Sequence, residues 1–248
     1  MDPQSATDAT FEIHETGDTT GEALVAGFSE FGLAGLTAVD YLVEQLGLEP
    51  VGHVTAPDLP TITPFDQGTP RHPVRLFSGE SVPVVVLVSE LFVPTTAARS
   101  FSDALLSWTE DADISETVVC SGVQMPHAET DHRTFYVATE DYRQARLDDA
   151  DVPPMATGFT DGVKASVLAR GIDSPLGACV FATPAHAQAP DAEAALRLVE
   201  TVDDVYGLGV DTGPMESFAS EVQRHYQDLA ERVELAREEQ QPEDRMYM

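Results

Sequence analysis

The stretch LVAGFSEFGLAG, residues 24–35, carries the chain from a buried strand through a glycine-containing turn into a helix. The apolar run 22–28 is typical of a strand, and the residues after Gly32 place apolar side chains at helical spacing. Those positions are Leu33, Leu36, Val39, Leu42, Val43 and Leu46. Gly47 follows them as a helix terminator. We therefore predict a strand over 22–28, a tight turn, and a helix over 32–46.

Outward from this unit, strand and helix patterns alternate along the chain. Further strands are predicted at 11–14, 50–55, 74–77, 83–89, 116–122, 133–138 and 176–182, and further helices at 95–108, 161–170 and 190–206. The run PVVVLVS at 83–89 is continuously apolar, as expected for a strand covered on both faces. This alternation predicts an α/β layer fold with a largely parallel sheet.

The chain shows no internal repeat and no dividing linker, so one domain is predicted over 1–212. The segment 57–73 contains five prolines and is predicted to be a loop or an edge excursion. A helix is predicted over 213–240, with a heptad-like apolar stripe. The stripe consists of Phe218, Val222, Tyr226, Leu229, Val233 and Ala236. It suits packing on the parent domain or pairing between subunits, and a polar tail follows at 241–248.

The charge balance is strongly acidic, with 43 acidic residues against 13 basic ones and a net charge of −30. Lys164 is the single lysine. Because the acids are spread along the whole chain, they indicate a protein that stays solvated in molar salt, where charge repulsion is screened. The alternative, an acidic face for a basic partner, would gather them into a block. Binding to a nucleic-acid backbone is disfavoured because there is no basic patch.

Other features favour a cytoplasmic protein. The amino-terminal residues MDPQSATDAT lack the features of a signal peptide, and no apolar run reaches the roughly 20 residues of a membrane helix. Cys120 and Cys179 lie inside apolar strands and are predicted to be small buried hydrophobic residues. A reduced, membrane-free location follows from these expectations.

Few residues have side chains in a pattern suited to catalysis or metal binding. His127, Glu129, Asp131 and His132 have the side chains of a divalent-metal site, but a solvated polar loop explains them better. Gly27 and Gly32 are spaced as in a phosphate loop, but the Gly-Lys-Ser/Thr that such a loop needs is absent. The sequence also has no Gly-x-Ser-x-Gly nucleophile elbow. We therefore predict no catalytic residues, no metal and no cofactor.

A ligand pocket remains an open alternative where strands end, because α/β folds place ligands at the carboxyl ends of their parallel strands. The candidate residues are Gly27, Phe28, Gly32, Ser89, Glu90 and Gly122.

The final residues, Met246-Tyr247-Met248, follow the polar stretch 238–245. Fully extended, the last eight residues would span roughly 25 Å. An apolar residue, a tyrosine and a final residue resemble the tail motif by which proteasome activators dock into pockets of the proteasome α ring. The alternative is a chance tripeptide on a disordered end.

The strand–turn–helix at 24–35 also resembles the opening of the proteasome-assembly-chaperone family, which has archaeal members and includes the second eukaryotic assembly chaperone as a relative. The resemblance continues through Tyr41-Leu42, the strands 84–90 and 118–122, the turn 158–162, and the helix start 190–195. These motifs span residues 22 to 212.

The resemblance implies a three-layer α/β/α fold similar to nucleoside phosphorylases, and it implies homo-oligomers. It also implies binding to the proteasome core particle in archaeal members with this tail. The leading hypothesis is therefore an ATP-independent, non-enzymatic proteasome-binding protein, either an assembly chaperone or an activator-like adaptor, that contacts α subunits through Met246, Tyr247 and Met248. The alternative is a phosphorylase- or hydrolase-like enzyme with a strand-end pocket.

Overall fold

The computed structural model describes residues 9–125, 132–186, 190–217 and 219. An eight-stranded sheet forms its centre, in the order β1-β3-β6-β7-β2-β8-β10-β9. Its strands are β1 (Glu12–Glu15), β2 (Ala23–Phe28), β3 (Glu49–Thr55), β6 (Val74–Ser78), β7 (Val84–Ser89), β8 (Glu116–Val123), β9 (Phe135–Ala138) and β10 (Gly177–Pro184). A separate two-stranded hairpin, β4 (Phe65–Asp66) and β5 (Thr69–Pro70), lies within the proline-rich segment.

The helices are α1 (Ala34–Gln45), α2 (Thr95–Asp111), α3 (Glu140–Tyr142), α4 (Gly162–Ile172) and α5 (Ala192–Tyr206). A 3-10 turn, Phe31–Leu33, leads into α1, and a π-helical turn, Arg143–Leu147, follows α3. Two elements end as the sequence predicts. Gly47 follows α1 after Leu46, and Gly207 directly follows α5; both adopt positive φ, at 60° and 63°, where glycine is the favoured residue.

The four central strands β7, β2, β8 and β10 are parallel. The outer strands β6 and β9 run antiparallel to them, and β3 runs antiparallel to β6, so five of the eight strands share one direction. The central strands are buried over nearly their whole length, which explains why their sequences are mostly apolar without alternation. The predicted largely parallel sheet is confirmed.

Helices cover the sheet on two sides, which confirms the three-layer architecture. The helices α1 and α5 pack together on one face, and α2 and α4 pack together on the other. Each face has its own apolar core, one centred on Val39, Leu42 and Leu198, and the other on Phe101 and Leu105. Cys120 and Cys179 are buried free thiols, as predicted, and burial raises the pKa of Cys120 to about 12.

Two local predictions differ from the structure. The helix at α3 and its π-helical continuation were not predicted. The helix α4, predicted over 161–170, continues to Ile172, and a Cβ at Gly171 would lie 2.7 Å from the Ala178 Cβ. That glycine therefore serves close packing of helix on strand. The final helix, predicted over 213–240, begins at 213 in the structure, and its course beyond 219 lies outside the described residues.

Candidate functional site

The carboxyl ends of β2 and β8 lie side by side at the centre of the sheet. From β2 the chain continues through α1 to β3, on the β7 side, whereas from β8 it continues to β9 and β10 on the opposite side. Adjacent parallel strands whose connections diverge in this way form the topological switch point at which open α/β sheets bind ligands. This edge is therefore the candidate site.

Three glycines allow the start of α1 to contact the backbone of β2 and β8. A Cβ added at Gly27 would lie 2.2 Å from the Gly35 carbonyl oxygen, and one added at Gly35 would lie 2.0 Å from the Cys120 carbonyl oxygen. At Gly122 it would lie 2.6 Å from the Phe31 carbonyl oxygen. Real side chains do not approach backbone atoms so closely. The space above the two predicted pocket residues Gly27 and Gly122 is therefore occupied by the α1 segment.

Gly32 shapes the turn between β2 and α1. Its φ of 66° falls in the left-handed region, where glycine is favoured. The Gly32 carbonyl accepts a hydrogen bond of 2.8 Å from the Asp191 amide, and the Asp191 carboxylate caps α5 by accepting from the Ala194 amide at 3.0 Å. The turn at Gly32 and the start of α5 are thereby joined, although they lie far apart in sequence.

A polar cluster formed by Glu30, Ser121 and Lys164 lies at the switch point. The Lys164 ammonium is 2.5 Å from the Glu30 carboxylate and donates to the Ser121 hydroxyl at 3.1 Å. Ser121 in turn donates to Glu30 at 2.9 Å. The Lys164 side chain is 13% exposed and that of Glu30 28%. The single lysine of the chain therefore forms a shielded, charge-assisted network that joins α4 to β8 and to the loop after β2.

The other predicted pocket residues have separate surroundings. Phe28 and Ser89 are buried in the core, where Phe28 makes an edge-to-face contact with Phe101 and Ser89 donates to the Leu91 carbonyl. Glu90 accepts hydrogen bonds from Arg71 at 2.7 Å and Arg75 at 3.3 Å.

Asp40 lies next to this ion-pair network, 4.0 Å from Arg75. Burial raises the pKa of the Asp40 carboxyl group. Glu90 also lines a cavity of about 390 Å³ that extends between α1 and Met215. A ligand pocket formed jointly by the six predicted residues stays a prediction.

Among the described residues, no group of histidine, cysteine, aspartate and glutamate is arranged to hold a metal ion. Of the candidate ligands, His127, Glu129 and Asp131 lie outside the described residues, and His132 lies inside them. The tail residues Met246, Tyr247 and Met248 also lie outside.

A sequence profile of the PAC2 family matches residues 24–230. The chain belongs to the PAC2 family. The match covers the strand–turn–helix at 24–35, the switch point and α5, and it confirms the resemblance found in the sequence. Among curated proteins, none matches this PAC2-family chain significantly.

Solved structures share the fold of this PAC2-family protein. Pyrococcus furiosus PbaA, an archaeal homolog of proteasome-assembly chaperone, superposes with a TM-score of 0.80 at 18% identity, covering 93% of this chain and 95% of PbaA. PbaB of the same organism, an archaeal proteasome activator, gives 0.75 at 16% identity, covering 90% and 99%. A PAC2-family protein from Streptomyces avermitilis gives 0.64 at 22% identity, covering 84% and 96%.

Among the described residues, no helix combines the length and the apolar character that crossing a bilayer requires.

Sequence reasoning missed the role of Lys164, although its status as the single lysine was a usable signal. We expect Lys164→Met to lower the free energy of unfolding by about 2 kcal/mol, because the buried Ser121 hydroxyl and the partly buried Glu30 carboxylate would lose the cation that they contact. Urea denaturation in molar KCl measures this.

A matched control is Arg99→Met, which removes an exposed pair with Asp103 at 3.9 Å and should leave stability unchanged. The double variant Lys164→Met, Glu30→Leu should recover much of the loss, since it replaces both partners by apolar groups. Equal stability of Lys164→Met and the wild type would contradict the assignment of this network as a stabilising one.

Proposed function

We propose that this protein binds the proteasome core particle through its α subunits and acts there, without ATP and without catalysis, as an assembly chaperone or activator-like adaptor. The observation that carries the proposal is the PAC2-family match over residues 24–230. The likeness of its fold to PbaA, a homolog of proteasome-assembly chaperone, and to PbaB, a proteasome activator, supports the same role. Such a role places the protein in the cytoplasm.

The proposed docking element is Met246-Tyr247-Met248, with Met248 taken as the C-terminal residue. Its carboxylate would pair with a lysine in a pocket between neighbouring α subunits. Tyr247 would bury its ring and find a hydrogen-bond partner for its hydroxyl group. Met246 would fill an apolar subsite, for which an unbranched, adaptable side chain is suited. Apolar burial would supply most of the affinity in molar salt, where the ion pair is screened.

Self-association belongs to the same proposal. One tripeptide makes a small contact and binds weakly, whereas several tails on one homo-oligomer raise each other's effective concentration at the α ring. The number of tails that engage at once would then set the apparent affinity.

The proposal is tested by capture of purified core particles of the same organism on the immobilised protein in molar KCl. We expect full-length protein to retain core particles and Tyr247→Ala to lose at least about tenfold of the capture, because the buried aromatic anchor is removed. Adding one glycine after Met248 should have a similar effect, since it displaces the carboxylate from the position where its partner lies.

Arg245→Ala is the matched control, because it changes the neighbouring residue and leaves the tripeptide intact; it should capture like the full-length protein. Circular dichroism of each variant checks that the domain is folded. Equal capture by Tyr247→Ala and the full-length protein would refute docking through the tail. Absence of capture by the full-length protein would refute the proteasome-binding role itself.

A further inference from the structure

A cavity of about 230 Å³ lies between α5 and the chain segments 132–134 and 150–152. Its volume is below the roughly 300–1,000 Å³ of drug-sized sites, so it suits a ligand the size of an amino acid. Residues of one face of α5 form one wall, because their spacing along the helix is three, four and seven. They are Arg197, Glu200, Thr201 and Asp204. None of the switch-point residues lines this cavity, and the proposed function does not use it.

Arg197 is a partly buried cation that lacks a carboxylate partner among the described residues. Its Nε donates to the Thr183 hydroxyl at 2.8 Å and its Nη2 to the Pro184 carbonyl at 2.7 Å, and both acceptors are neutral. Burial lowers the pKa of Arg197, which shows that the charged form loses hydration there. The other partly buried cations of the described chain all pair with carboxylates; they are Arg71, Arg75, Arg143, Arg146 and Lys164.

The third nitrogen of the Arg197 guanidinium group remains available to a ligand. Its Nη1 donates to no described residue, and it is not among the buried atoms that lack a partner, so it keeps access to solvent. The bonds to Thr183 and Pro184 hold the guanidinium plane in place, so little freedom is lost when a further acceptor binds. An anionic oxygen is the strongest acceptor for such a donor. Arg133 adds a second cation to the lining, with its guanidinium group 5.4 Å from the Phe135 ring.

Three carboxylates, those of Asp151, Glu200 and Asp204, line the same cavity. Within the described part of the chain, neither these carboxylates nor the two arginines of the lining form an ion pair. Burial, and then the like charges of Glu216 and Asp204, raise the pKa of Glu200. A cationic group placed between Glu200 and Asp204 would relieve this repulsion, whereas a ligand with negative charge alone would be repelled.

The spacing of these charges matches a short zwitterion. Arg197 and Asp204 lie seven residues apart on α5, which is about 10 Å along the helix axis. The ammonium group and the carboxylate oxygens of an α-amino acid are about 3 Å apart, and a hydrogen bond of about 3 Å at each end extends this to about 9 Å. Between the charged ends, Ala150 and Val152 offer an apolar wall that packs on the core of the domain.

We propose that this cavity binds a free α-amino acid with a small apolar side chain. Its carboxylate accepts from Nη1 of Arg197, its ammonium group donates to Glu200 and Asp204, and its side chain contacts Ala150 and Val152. The opposite charges of the lining therefore select a ligand that carries both signs and reject a simple anion or a simple cation.

Isothermal titration of the full chain with L-valine in molar KCl tests the proposal. We expect one site per chain. Two analogues each lack one charged group of L-valine, since 3-methylbutanoate has no ammonium group and isobutylamine has no carboxylate. Each should bind the wild type at least about tenfold more weakly, because one charge-assisted contact is lost.

Two variants assign the contacts. Glu200→Gln combined with Asp204→Asn should remove the difference between L-valine and 3-methylbutanoate, and both residues are exposed, so the fold should be kept. Arg197→Met should remove the difference between L-valine and isobutylamine. The matched control combines Asp18→Asn with Glu80→Gln, which takes away two exposed carboxylates outside the cavity and should bind L-valine like the wild type.

Absence of L-valine binding by the wild type would overturn the proposal. Equal affinity of the wild type for L-valine and isobutylamine would overturn it too, because the carboxylate would then contribute nothing. The same holds if the Glu200→Gln, Asp204→Asn variant binds L-valine as tightly as the wild type, since the ligand would then occupy another place.

Discussion

Replacing Gly35 by alanine should lower the free energy of unfolding by at least about 3 kcal/mol, a large loss for a single methyl group. The added Cβ would lie 2.0 Å from the Cys120 carbonyl oxygen, which is backbone inside the central strand β8. Neither the start of α1 nor β8 can shift to make room for the methyl group, because both are buried where they meet. Helix propensity alone predicts the opposite sign, since alanine stabilises a helix interior by up to about 1 kcal/mol over glycine.

Gly158→Ala is the matched control, since a Cβ there meets nothing within 4 Å and its φ is not in the left-handed region. It should leave stability unchanged or slightly raise it. Urea denaturation in molar KCl, followed by circular dichroism, compares the two variants with the wild type. If Gly35→Ala were as stable as Gly158→Ala, the close approach of α1 to β8 would be wrong.

Gly35 also marks the limit of prediction from sequence. The strand-to-helix turn at Gly32 could be predicted, because glycine next to an apolar run is a local signal; Gly27 and Gly35 instead lie inside β2 and α1. Which glycine faces a carbonyl of another strand depends on the packing of α1 across β2 and β8, and local sequence does not contain that information. The same holds for Gly171, whose location suggested a helix end and whose role is contact with β10.

The element α3 shows a second limit. The segment 140–147, EDYRQARL, is rich in charge and has no clear apolar face, so periodicity gives no helix signal. In the structure Tyr142 is buried and lies within hydrogen-bond distance of the Tyr206 hydroxyl at 3.1 Å. Arg146 forms ion pairs with Glu22 and Glu116. Tertiary contacts, not local propensity, therefore hold this helix in place.

The candidate site has some features that the sequence predicts and others that depend on tertiary packing. Strand ends and their small residues could be located from the sequence, because a parallel α/β fold places them along one edge. The contacts between them could not be predicted, since Lys164 and Glu30 lie 134 residues apart and meet only when α4 packs on β10 and α2. The composition shows that lysine is rare beside arginine. The role of the single lysine follows only from the contacts that Lys164 makes in the structure.

Transfer from molar KCl to dilute buffer should unfold or expand the protein. With 43 acidic and 13 basic residues, the chain carries a net charge of −30. At about 1 M salt the Debye length is about 3 Å, so most carboxylates do not sense one another, whereas at about 0.01 M it is about 30 Å and they repel across the molecule. Circular dichroism and sedimentation across a KCl series measure the transition.

Changing Asp18, Glu49, Glu80 and Asp111 to their amides separates charge repulsion from other effects of salt. All four are exposed, and none forms an ion pair with a described residue. The change reduces the net charge from −30 to −26 and should move the unfolding midpoint to lower KCl. Sucrose should not replace KCl, since it does not screen charge. Identical spectra in dilute buffer and molar KCl would show that the acidic surface costs the fold nothing, and the acids would then need another explanation, such as recognition of a basic partner.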